Sequence, residues 1–167
     1  LIDPLRWPAA GIGDDALMQM RRLKARMESE RLPRGADPTL HTKLGRGGLS
    51  DVEWVAQLIQ LRHAAHNASL RTTSTLRVLE GSVAADLMDA SDADVLTDAW
   101  LLATRVRNAI VLASGKISDV VPAGPPDLVG VRHLLGYRPG QGGVFLEDYR
   151  RITRRARQVM ERLFYEQ

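Results

Sequence analysis

Apolar residues recur at helical spacing along most of the chain and almost nowhere alternate as strand residues do. The first helical pattern runs from Asp14 to about Arg31, with Leu17, Met20, Leu23 and Met27 on one stripe. Asp14 and Asp15 stand in its first turn, where the helix dipole favours negative charge. The second, from about Asp51 to His66, is apolar round most of its circumference through Val52, Trp54, Val55, Leu58, Ile59 and Leu61. Glu53, Gln57 and Gln60 interrupt it as a polar stripe on an otherwise buried helix. Thr72-Thr73-Ser74 caps a third helix, Thr75 to about Ala85, which turns Leu76, Leu79 and Val83 inward. Ser91 caps a fourth, about Asp92 to Ser114, and Gly115 closes it. Its stripe of Val95, Ala99, Leu102, Val106, Ala109 and Ala113 predicts a central helix. Arg105 is therefore expected to be buried and ion-paired with a carboxylate from another helix. A short helix follows over about Pro126 to Leu135, and a last one over about Val144 to Tyr165. There Phe145, Tyr149, Ile152, Ala156, Val159 and Leu163 repeat as a bundle seam, and Arg150, Arg151, Arg154, Arg155 and Arg157 cover the opposite face, which reads as solvated or, alternatively, as an anionic docking surface.

The fold class predicted is all-α, a bundle of about six helices with at most one short strand. The candidate strand is His41 to Leu44. No other run alternates convincingly, so its partner is expected in a neighbouring domain. At 167 residues the chain reads as one helical domain with an irregular lead-in over residues 1–13. It has no initiator Met and reads as a segment of a longer multidomain enzyme.

The candidate chemistry gathers at Lys43 to Trp54, where a basic, glycine-rich loop runs straight into a helix start. Ser50 as N-cap and Glu53 three residues on make a capping box, with Leu49 and Trp54 placed to form a hydrophobic staple. Amides at a helix N-terminus favour anions, so Lys43, Arg46, Gly47 and Gly48 are the phosphate- or nucleotide-facing candidates. The alternative is a turn between domains whose basic residues are merely solvated. Glu53, Gln57 and Arg105 are the polar residues expected to line a cleft or to hold the bundle. For Gln57 and Gln60 the two readings are hydrogen bonds to neighbouring loops and a cleft facing a catalytic domain.

The block from Lys43 to Trp54, its continuation Val55 to Leu61, the run Leu70 to Leu76 and the closing Arg154 to Arg157 and Leu163 to Tyr165 together resemble one known family. This is the helical domain that follows the nucleotidyltransferase domain in bifunctional glutamine synthetase adenylyltransferase/adenylyl-removing enzymes. A related helical domain occurs in the uridylyltransferase that modifies the PII signalling protein. The resemblance implies a parent enzyme that moves AMP from ATP, with Mg2+, to a tyrosine of glutamine synthetase, and removes it by phosphorolysis. It implies glutamine synthetase and an upstream nucleotidyltransferase domain as partners, a PII-type signalling protein as a further one, and a cytoplasmic location. The chain by itself is expected to bind no cofactor and to carry no catalytic residue. Two other readings are the helical domain of the PII uridylyltransferase and a non-catalytic protein-interaction module.

Composition narrows the picture without redirecting it. Hydrophobic and charged contents of 44% and 26% are those of a globular protein, and no apolar run is long enough to span a membrane. The absence of cysteine excludes disulfides and thiolate metal sites. A net charge of +3 invites a nucleic-acid reading, but 5% aromatic residues with no basic-aromatic platform argue against it. His63 and His66 need only the dipole of a helix C-terminus to explain them, so no metal site is expected. Gly81-Ser82 followed by Asp92-Ala93-Asp94 matches the spacing of a nucleotidyltransferase active site. Those aspartates belong on a strand, and here they fall in the first turn of a long helix.

Overall fold

A computed structural model describes residues 6–166. Within them lie six α-helices: α1 (Asp14–Glu30), α2 (Leu49–His63), α3 (Thr75–Ala84), α4 (Ala90–Ser114), α5 (Asp127–Leu134) and α6 (Gly142–Tyr165). The all-α expectation holds. Several local signals act as their chemistry requires. Gly115 closes α4 with φ +68°, and the Ser74 side chain accepts the Arg77 N–H at the start of α3.

Two long helices carry the architecture. α4 and α6 are each about 36 Å long at 1.5 Å per residue, and they run past one another through two adjoining cores. The first core packs Leu96 and Ala99 of α4 and Ala156, Met160 and Phe164 of α6 against Val52, Val55 and Leu58 of α2, with Val78 and Leu79 of α3. The second joins Val106 and Ile110 of α4 and Phe145 and Tyr149 of α6 to Leu128 and Val131 of α5 and to Leu40 and Val121 in loops. The first half of α4 meets the second half of α6, and the reverse, so the two helices are antiparallel.

Three expectations are corrected. The segment at His41 finds its partner inside the chain, through an isolated antiparallel bridge to Val120. Thr42 N–H donates to Asp119 O (2.7 Å) and Val121 N–H to Leu40 O (2.7 Å). The partner run around Val120 is too short to show as an alternating pattern. Arg105 is exposed and not buried. The inward line of α4 runs through Leu96, Ala99, Ala103, Val106 and Ile110, which turns Arg105 to solvent. Because α4 carries apolar residues all round, with Leu101, Val111 and Leu112 exposed, its periodicity alone did not orient it. In α1 the buried residues are Leu17 and Lys24, while Leu23 of the expected stripe is exposed.

Candidate functional site

The glycine loop is clamped from both sides. A Cβ on Gly47 would lie 1.7 Å from the Thr153 carbonyl oxygen of α6, and Gly47 has φ +72°, a conformation that disfavours any other residue. A Cβ on Gly45 would meet His41 O at 2.2 Å, and one on Gly48 would meet Thr42 O at 2.7 Å. These glycines allow backbone to touch backbone.

The helix that follows starts two residues earlier than its sequence signals. Gly48 is the N-cap and makes no side-chain cap bond, and Leu49 is already helical. This moves the third helical position from Glu53 to Asp51, whose Oδ2 accepts the Gly47 N–H at 2.7 Å. The expected reciprocal box of Ser50 and Glu53 is thus replaced by a carboxylate reaching back from Asp51. Leu49 lies inside the helix, so the staple changes too: Trp54 packs edge-on against Phe164, with ring centroids 5.8 Å apart.

Amides throughout this stretch are engaged within the chain. Those of Lys43 and Leu44 donate to His41 Nδ1 (3.3 and 3.1 Å), consistent with a buried, neutral imidazole whose pKa burial pushes down. Gly45 N–H donates to His41 O, Arg46 N–H to Pro38 O, Gly48 N–H to Gly45 O, Leu49 N–H to Thr42 O and Ser50 N–H to Lys43 O, all at 2.9–3.0 Å. What the loop presents outward is therefore side chain, namely the exposed Lys43 and Arg46. The two do not converge. Lys43 acts on the ionisation of Glu53 and His41, whereas Arg46 lines grooves with Arg157 of α6 and Glu28 of α1.

Beneath the loop lies a charge cluster that sequence reasoning missed. Asp51, 2% exposed, receives the Lys24 ammonium on Oδ1 and the Arg157 guanidinium on Oδ2 at 3.2 Å. Lys24 also contacts Glu28 at 2.7 Å, and Arg157 contacts Glu28 at 2.6 Å and Glu161 at 2.7 Å. Burial would push the Glu28 carboxyl up, but hydrogen bonds from Arg157 and Lys24 outweigh it and hold it below 4.5. Buried charges need such mutual pairing. The seam pattern put Arg157 on the face of α6 opposite the core, yet its guanidinium is turned inward onto Glu28 and Asp51. Nothing local said that they meet.

Glu53 is its opposite. Half-buried, it makes no hydrogen bond or ion pair among the described residues, and burial raises its pKa above 4.5, with Lys43 and Arg107 offsetting this in part. It lines a cleft of about 410 Å3 with Gln57, Trp7, Thr72, Thr73 and Thr75. Gln57 is exposed there. The Gln60 amide instead ties down the loop after α2, donating to Leu70 O and Thr72 O at 2.7 Å each. No group of three His, Cys, Asp or Glu that could hold a metal ion is found among the described residues. Asp92 is paired with Arg162, and Asp94 is exposed on α4.

Fold and site together define an all-helical domain built on a clamped loop-to-helix junction, with an open polar cleft beside it. A family model described as GlnD PII-uridylyltransferase matches residues 19–164, and the chain belongs to that family. Over 99% of its length it is 59% identical to a bifunctional glutamine synthetase adenylyltransferase/adenylyl-removing enzyme of Streptomyces avermitilis. It is 56% identical to the one of Streptomyces coelicolor over the same share, and 51% identical over 98% to that of Mycobacterium bovis. The chain spans 16% of the length of each of these relatives.

Proposed function

We propose that this chain is the helical domain that follows the nucleotidyltransferase domain of a glutamine synthetase adenylyltransferase. There it supports transfer of AMP from ATP to a tyrosine of glutamine synthetase. The observation that carries this reading is the 59% identity over 99% of the chain to a relative so named. ATP and Mg2+ serve the parent enzyme in the cytoplasm. The residues present do not fit a magnesium site, since no acidic cluster forms among the described residues. We assign the metal and the transfer step to the adjoining domain and expect no transfer by this chain alone. Its own part is to present the Glu53 and Gln57 cleft to that domain, with Lys43 supplying positive charge near the phosphates. Gly47 and Gly48 set the loop's position and do not bind the nucleotide directly.

A second reading rests on the name of the matching family model, which points to uridylyl transfer to a PII protein. Labelled nucleotides separate the two. The longer enzyme, given glutamine synthetase, PII protein, ATP, UTP and Mg2+, should move label from ATP into glutamine synthetase. Label passing from UTP to PII would establish the second reading. This chain alone should transfer neither. In the longer enzyme, Lys43→Ala should slow AMP transfer at least ~10-fold, about 1.4 kcal/mol of barrier, with the melting temperature nearly unchanged. Unaltered kinetics would leave the loop as architecture only.

A further inference from the structure

The loop and α6 enclose a second groove, of about 420 Å3, into which Arg46, Arg150, Arg154 and Arg157 all face. Its arginines are of two kinds. Arg157 is held by Glu28, Asp51 and Glu161. Arg150 is held by Asp37 at 3.6 Å and Glu147 at 3.3 Å. Arg46 and Arg154 are exposed and have no ion pair among the described residues. Two guanidinium groups are thus left uncompensated in a concavity whose other two arginines are already neutralised.

The groove is also stiff. Arg46 is carried by a loop whose N–H donates to Pro38 O (3.0 Å), between glycines pressed against Thr153 and His41. Arg154 stands four residues after Arg150 and three before Arg157, so one face of α6 delivers all three. The ion pairs of Arg150 and Arg157 hold the floor in place, so the ordering left when a ligand arrives is that of the Arg46 and Arg154 side chains. A planar guanidinium binds two oxygens of one phosphoryl group at once. The volume is that of a small-molecule site and is small for a docked protein segment.

We propose that this groove binds a phosphate-bearing small molecule, gripped by the Arg46 and Arg154 guanidinium groups. The site lies apart from the Glu53 cleft and requires no catalytic domain, so it stands whether or not the reading of AMP transfer does. Calorimetric titration of this chain with pyrophosphate, and separately with ATP and with inorganic phosphate, tests it. Saturable binding is expected, weakened at least about 10-fold, or 1.4 kcal/mol, by Arg46→Ala with Arg154→Ala. The control Arg77→Ala with Arg138→Ala removes the same charge elsewhere and should leave the affinity unchanged. Tighter binding of ATP than of pyrophosphate would identify a nucleotide as the source of the phosphate, and equal binding a free polyphosphate. No saturation by about 10 mM pyrophosphate at low salt, or equal affinity in the double variant and the wild type, would overturn the proposal. So would a polyglutamate peptide binding more tightly than any phosphate, which would make the groove a protein-docking surface.

Discussion

Asp51 and Glu53 stand two residues apart at the start of one helix and live in opposite worlds. Asp51 is buried and saturated, with an ammonium, a guanidinium and a backbone amide on its two oxygens. Glu53 is half-buried at the edge of a cleft and has no such partner among the described residues. Residues two apart in a helix point about 200° from one another, so a single turn serves both purposes. One side locks the loop to α1 and α6. The other leaves a desolvated acceptor facing open space. In a structural domain an unpartnered carboxylate is a cost without a return, which supports the proposal that this cleft faces the adjoining domain.

Disruption of the locked side should have the largest effects. Gly47→Val must move its new side chain out of the Thr153 carbonyl while holding φ +72°. The chain should lose more than about 4 kcal/mol or fail to fold, visible as loss of a cooperative thermal transition by circular dichroism. A stably folded variant would show that the loop is not clamped. Next comes Asp51→Ala, which takes the buried carboxylate from between Lys24 and Arg157, leaves Glu28 to serve both, and leaves the Gly47 amide without its acceptor. It should cost about 3–5 kcal/mol in denaturant unfolding. If it cost no more than a surface substitution, the cluster beneath the loop would be ornamental.

The smallest effect belongs to the open side. Glu53→Gln should change stability by less than about 0.5 kcal/mol at neutral pH. Its pH dependence sharpens the contrast. Burial raises the folded-state pKa of Glu53 above 4.5, so the stability this group lends is full below that value and lost as pH rises through the raised one. The wild type should gain on Glu53→Gln as the solution is acidified through the carboxylate range. Glu28, held below 4.5, lends stability above that value and loses it as pH falls through its folded-state value. Glu28→Gln should therefore show the opposite slope. Parallel slopes for the two variants, measured by urea midpoints across that range, would erase the distinction between the locked and open sides.

Most of the helices were legible in the chain itself. The start of α1 at Asp14, the Ser74 cap of α3 and the Gly115 stop of α4 are local signals, and each stands where its chemistry requires. The Lys43 to Trp54 block was also legible as the organising junction, because glycines followed by a helix start carry their own meaning. Its mechanism was not. Capping preferences put Ser50 and Glu53 in roles that Gly48 and Asp51 hold, because the Gly48 carbonyl takes the Val52 amide that a Ser50 cap would have served, and the Lys43 carbonyl takes the Ser50 amide that Glu53 would have served.

What the sequence determined by itself was the set of helices, their class and their approximate ends, all set by interactions within a few residues. Only the tertiary structure decided which face of each helix turns inward. α4 is apolar on several sides, so neighbours and not periodicity left Arg105 in solvent. Lys24, Asp51 and Arg157 are separated by as many as 133 residues, and no local rule could pair them; burial makes their pairing obligatory once α1, α2 and α6 meet.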